Sequence, residues 1–339
     1  MSIIFCGDLV LPYHVNVDYS SIKHLFEGKR AIANLEGSIW EREPYEEDCR
    51  WKDKYSLYSC PQVLDVLKDL NIEAVSLCNN HILDYKHDIS DTVRILQDNN
   101  VDSWGLNNHD VYESELNEKK LFVITFATFA CEHSLNLFSP SLVVKTIKQL
   151  REENSGAYIV VFPHWGREKF HYPEPADRTL AHECIDAGAD LIVGHHPHVL
   201  QPVEKYEGKW IVYSIGNFIL PEANFAGKFS PNTNKENREM VVEWDGKNVE
   251  LIPLVMNPTN NRIEEDMTFD TGKLFSLFGK NPSRYEYLKI YLKHSPLMDI
   301  LLRSRYFSTS WGEKMCKLQR NSFRAFRKIM INVGLHHPK

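Results

Sequence analysis

A mixed α/β sandwich, two sheets face to face with helices outside, is the fold this sequence predicts, and three observations predict it. Short apolar runs alternate with stretches of helical period through most of the chain, the pattern of α/β proteins. The runs are rich in Val, Ile and Phe, as strands buried on both faces are. A later pair of runs flanks Asp245-Gly246, a hairpin signal, so parallel strands give way to antiparallel pairing. With 339 residues, 43% of them apolar and 25% charged, the chain can bury a substantial core without disulfides.

The elements follow in order. Residues 2–6 and 31–35 read as the first two strands. Residues 61–70 read as a helix, because apolar side chains recur three and four apart behind Pro61. Strand 74–78, helix 87–99, strand 121–127 and helix 141–153 continue the alternation. Strand 158–162 precedes a helix over 175–187 that opens on Pro175; strands 190–193 and 210–215 come next. Residues 240–244 and 249–254 form the hairpin arms. The expected division is an α/β domain over 1–257 and a basic, largely helical extension over 258–339.

Seven cysteines, scattered and without a CxxC pair, suit a reducing compartment. The start carries no basic and apolar leader, and no run approaches about 20 apolar residues. The expected location is therefore the cytoplasm, including the inner face of the membrane. Net charge is −7, unevenly spread: 14 basic and 3 acidic residues from Lys273 onward give +11, whereas the first 272 residues carry −18. An acidic body repels polyanions and no recognition fold is visible, so nucleic acid is not an expected partner.

Chemistry collects where strands end. Asp8, the pair Asn34 and Glu36, Asn79-Asn80-His81, His164, and His195-His196-Pro197-His198 each follow an apolar run. In α/β sheets the loops at the carboxyl ends of strands share one edge, so these side chains are expected to converge. Any one has an ordinary reading as a turn former, a cap or a surface group. Three imidazoles directly after a buried strand have no packing rationale. Carboxylates, imidazoles and an amide without thiolates suit Mn²⁺, Fe or Zn²⁺ in a hydrolytic site, and seven candidates exceed the needs of one ion. Two divalent ions sharing a carboxylate are the expected cofactor.

The motifs Gly7-Asp8, Asn34-Leu35-Glu36, Asn79-Asn80-His81 with Asp84, His164-Trp165-Gly166 with Glu168, His196-Pro197-His198-Val199 with Gln201, and Tyr213-Ser214-Ile215-Gly216-Asn217-Phe218 resemble the CapA family of capsule and poly-γ-glutamate biosynthesis proteins, within the calcineurin-like metallophosphoesterase superfamily. The resemblance covers roughly residues 2–255. It implies a four-layered α/β/β/α sandwich, with Asp8, Asn80, His164, His196 and His198 as metal ligands and Glu36 as the bridging carboxylate. It also implies a proton-donating or charge-steadying role for His81, with Asp84 orienting its ring or capping a helix. Asn34, Asn79, Arg167, Glu168, His195 and Asn217 are expected to contact substrate or support the ligands. Arg167, Lys169 and Arg178 are candidates to grip an anion, or else solvated surface groups. The wider superfamily has Asp-x-His at the first strand and a bridging Asp; Leu9-Val10 and Glu36 depart from both, as the CapA pattern does.

The expected function is metal-dependent hydrolysis or transfer on an envelope polymer or its precursor, at a phosphoester or a γ-glutamyl amide. A non-catalytic assembly factor is the alternative. The substrate is an anionic polymer or phosphoester, chosen by loops 40–58 and 221–237. Residues 311–330 read as a basic amphipathic helix, which either packs on the body or contacts a membrane surface or biosynthetic partner.

Overall fold

The computed structural model describes residues 1–51, 55–86, 88–106, 109–128, 140–230 and 238–294. The first sheet has eight strands. At its centre β1 (Ile3–Leu9) runs parallel to β2 (Arg30–Leu35) and antiparallel to β16 (Arg238–Trp244). Beyond β2 lie β5 (Ile72–Ser76) and β6 (Asp102–Trp104), both parallel. Beyond β16 lie β17 (Val249–Asn257) and β18 (Arg262–Glu265), both antiparallel. A short strand, β13 (Asn217–Ile219), pairs with the end of β1.

The second sheet runs β11 (Val203–Tyr206), β12 (Lys209–Val212), β10 (Leu191–Val193), β9 (Tyr158–His164), β8 (Lys119–Ala127) and β7 (Val111–Leu116). Its four inner strands are parallel and its two outer ones antiparallel. Two small pairs stand apart: β3 (Ser38–Ile39) with β4 (Tyr58–Ser59), and β14 (Ala223–Phe225) with β15 (Lys228–Ser230).

Side-chain alternation sorts the layers. Ile3 and Phe5 of β1 join Val160 and Phe162 of β9 and Val193 of β10 in a buried cluster between the sheets. Ile4 and Cys6 face the other way, into a core shared with Phe26 of α1 (Lys23–Phe26), Val63 and Leu67 of α2 (Val63–Asp69), and Ile95 and Leu96 of α3 (Ile89–Asp98). On the far side of the second sheet, Ile124, Val161 and Ile192 meet Ile147 of α4 (Pro140–Glu153), Leu180 and Cys184 of α5 (Pro175–Asp186), and Tyr287 and Tyr291 of α7 (Arg284–His294). Helices, sheet, sheet, helices is the α/β/β/α sandwich expected. The helices α2 to α5 end within two residues of their expected limits; Asp88 caps α3 by accepting from the Ser90 amide at 3.0 Å.

Structure continues without a break past the boundary expected at 257. β18 pairs with β17 in the first sheet, and Leu274 of α6 (Gly272–Phe275), Phe278, Tyr287 and Tyr291 are buried in the cores of the sandwich. Residues up to 294 therefore complete the sandwich instead of extending from it. The helix expected over 311–330 lies outside the described residues, among which no helix is long and apolar enough to cross a membrane.

Candidate metal centre

Register brings the strand ends together. Asp8 sits opposite Asn34 on one side and Asn217 on the other, and His164 is bridged to His195 across the second sheet. Two glycines permit the approach. A Cβ on Gly7 would lie 2.2 Å from the Gly216 carbonyl oxygen, and one on Gly194 would lie 2.2 Å from the Tyr213 oxygen and 2.3 Å from the Trp165 indole nitrogen. The loop after β10 is strained as well: His196 (φ 99°) and His198 (φ 56°) occupy the left-handed region without being glycine. Such strain is held in place by surrounding structure and gathers at functional sites.

Asp8, Glu36, His164, His195, His196 and His198 are all buried. Asp8 accepts from the Asn34 amide at 2.8 Å and from the His196 backbone N–H at 3.2 Å, and lies 3.4 Å from Nδ1 of His198. Glu36 Oε1 is 3.5 Å from Nε2 of His164 and 3.9 Å from Nε2 of His198. Nε2 of His164 is also 2.6 Å from the Asn80 side-chain oxygen and 3.0 Å from Nδ1 of His196. Nδ1–H of His198 donates to Asn217 at 2.8 Å, which leaves Nε2 as the atom able to bind a metal. Two trios, Asp8 with His164 and His195, and Glu36 with His196 and His198, each gather their possible ligand atoms within 4.8 Å.

The electrostatics describe an incomplete site. Burial drives the Glu36 carboxyl up to about 8, and the neighbouring Asp8 carboxylate adds to the rise. Asp8 feels burial too, but hydrogen bonding with His198 and the charges of His195 and His198 hold it below the usual carboxylate range. Burial opposes protonation of His198, yet Glu36 and Asp8 carry it up to about 10. His164 is pushed well below its ordinary value by burial and then by four neighbouring imidazoles; burial brings His195 down to about 4. Neither oxygen of Glu36 has a hydrogen-bond partner. A buried carboxylate left open among imidazoles and amides fits a divalent cation, which would take the place of the protons that these groups otherwise share.

Other expected residues divide. His81 and Asp84 form a pair, Nδ1 to Oδ2 at 2.5 Å, and the Leu57 amide also donates to that oxygen at 3.0 Å. Burial opposes protonation of His81, but Asp84, with Glu36 and Glu168, more than offsets it and the imidazole rises above its ordinary value. Asp84 thus orients the ring; the cap of α3 is Asp88 instead. Asn79 donates to Asn34 at 3.2 Å and to the Leu35 carbonyl at 2.8 Å, bracing the loop. Glu168 is exposed and close enough for its charge to reach Glu36, His81 and His198. Arg167 lies over the Phe170 ring at 4.9 Å.

Arg178 neither grips an anion at this edge nor sits in solvent. It is buried and bonded to Glu204, with Nη2 to Oε1 at 2.7 Å. His195, expected as a support, stands inside a possible ligand trio, its ring 4.4 Å from that of Phe162. Sequence reasoning missed the Leu57 amide, since a backbone donor carries no residue signature. It also missed the aromatic wall where Tyr58 meets Phe225 at 5.7 Å, joining the two small strand pairs.

Against known families, residues 2–222 match the one described as bacterial capsule synthesis protein PGA_cap. The chain belongs to this family. Among PGA_cap relatives, the PGA biosynthesis protein CapA of Bacillus subtilis (strain 168) is 30% identical over 242 residues, which is 66% of this chain and 64% of that protein. The match thus spans a little under two thirds of that relative. The capsule biosynthesis protein CapA of Bacillus anthracis is 27% identical over 326 residues, 87% of this chain and 79% of that protein. Among solved structures, a novel phosphatase from Mycoplasma pneumoniae is similar over 81% of this chain and 99% of its own, with 13% identity and a TM-score of 0.45.

Proposed function

We propose that this PGA_cap chain is a metal-dependent hydrolase or transferase of capsule or envelope-polymer biosynthesis, acting on the polymer or its precursor. The observation that carries the reading is Glu36: fully buried, without a hydrogen-bond partner on either oxygen, and set between His164 and His198. Its role as a shared ligand, with Asp8, Asn80, His164, His196 and His198 around it, is supported by donor chemistry and position. Bound divalent ions would supply Lewis acidity toward water and toward a phosphoryl or acyl oxygen.

The chain's own groups do the rest. His81, held at Nδ1 by Asp84, is oriented to give a proton to a leaving group, and its raised proton affinity suits that role. Asn217 and Asn34 fix His198 and Asp8 so that the ligand atoms need no reorganisation. The PGA and capsule names of the relatives support an envelope polymer as the substrate class.

The test is hydrolysis by manganese-loaded wild type and His196→Ala over a panel of phosphodiesters, phosphomonoesters and γ-glutamyl peptides. Turnover of one class by the wild type, reduced at least about a hundredfold in the variant, supports the reading and selects the bond. Equal inactivity of both proteins across the panel contradicts it and leaves an assembly factor.

A further inference from the structure

We propose that the segment carrying α6 and α7 is a docking surface for an anionic lipid bilayer. Residues 267–294 present Lys273, Lys280, Arg284, Lys289 and Lys293, all exposed, against two acidic residues, Asp270 and Glu286. None of the five cations forms an ion pair among the described residues. Three large apolar side chains are exposed in the same stretch: Met267 at 87%, Tyr285 at 66% and Leu292 at 37%.

The helix α7 explains the arrangement. Tyr287 and Tyr291, one turn apart, point into the core and fix the helix on the sandwich. Tyr285, Lys289 and Leu292 then fall on the outward stripe at helical spacing, and the Lys289 ammonium lies 4.4 Å from the Tyr285 ring centre. Along an adjacent flank of α7 runs a groove of about 940 Å³ lined by Leu200, Leu274, Leu277 and Ile290, with Lys273 and Lys280 also lining it.

Charge and apolar surface together select the occupant. Cations alone would serve any polyanion, but an exposed tyrosine and leucine interleaved with lysines match the boundary of a bilayer, where rings sit among headgroups and lysines meet lipid phosphates. The charge asymmetry sets the orientation. A body of −18 over the first 272 residues is repelled by an anionic surface, while residues 273–294, with five basic residues and one acidic, are drawn to it. This surface makes no use of the metal-centre chemistry and stands or falls separately from it.

The test is co-sedimentation of the full chain with vesicles of phosphatidylcholine alone or mixed with phosphatidylglycerol. Three double variants, all at exposed positions, are compared at equal melting temperature: Lys280→Glu with Lys289→Glu, Tyr285→Ser with Leu292→Ser, and Lys68→Glu with Lys148→Glu as a control elsewhere. The expected result is binding to the mixed vesicles only. The first pair should weaken it at least about tenfold, the second several-fold, and the control not at all. Failure of the wild type to bind, equal binding to neutral vesicles, or full binding by both surface pairs would overturn the proposal. Loss in the charge pair with none in the Tyr285 and Leu292 pair would also overturn it, since no apolar side chain of α7 would then enter the bilayer boundary.

Discussion

Glu36 and Glu204 are both buried glutamates, and their surroundings could hardly differ more. Glu204 receives Arg178 at 2.7 and 3.1 Å and the Tyr213 hydroxyl at 2.6 Å, with His182 Nε2 at 3.1 Å. Burial would raise its carboxyl, but these partners hold it down at about 2. Glu36 has histidines nearby, no hydrogen bond to either oxygen, and a carboxyl pushed up to about 8. One cluster is complete within the protein and serves the fold; the other is open and calls for something from outside. A third buried glutamate, Glu239, also lacks partners, and burial alone pushes its carboxyl well up. Being unpaired is therefore not enough to suggest a metal; the ring of imidazoles and amides around Glu36 is what separates it from Glu239.

The contrast breaks first at Arg178. Replacing it with Met strands the Glu204 charge and removes the guanidinium from over Phe278 and Tyr287, at 5.0 and 5.4 Å. The expected loss is about 3–5 kcal/mol in urea unfolding. Glu36→Gln should leave the metal-free protein as stable as wild type or more so, because it removes an acid whose ionised form burial disfavours; a loss as large as that of the Arg178 variant would erase the distinction.

A smaller effect is expected at the metal edge from Gly194→Ala. The added methyl meets the Tyr213 carbonyl and the Trp165 indole and should cost about 1–3 kcal/mol by the same measurement. The acid response probes the Glu204 cluster itself. Glu204 has its carboxyl lowered from 4.5 to about 2, so its contribution is complete above pH 4.5 and fades as pH falls toward 2. Unfolding midpoints of Glu204→Gln should be flatter than those of wild type across that window, and parallel curves would remove Glu204 from the account.

How far the sequence reached follows from the same physics. His195-His196-Pro197-His198 was legible because three imidazoles behind Leu191-Ile192-Val193 have no use in a core, and the burial of the strand forces the loop to one edge. Helices α2 to α5 were legible from period, and α2 and α5 also from the prolines at their starts. Arg178 was not, since a charge on a helix reads as solvated until Phe278 and Tyr287, a hundred residues later, are seen to cover it. The sheet edge at Arg262–Glu265 was hidden for a related reason: three charged residues in four disguise a strand whose one apolar member, Ile263, is fully buried. β13 is three residues long, too short for a period, and only its pairing with β1 reveals that Asn217 belongs beside Asp8.

Calorimetric titration of metal-stripped chain with Mn²⁺, wild type against Glu36→Gln, tests the central claim most directly. Saturable uptake by the wild type and affinity at least about tenfold weaker in the variant is the predicted result. No uptake by the wild type, or identical isotherms for the two proteins, would contradict a metal centre built on Glu36.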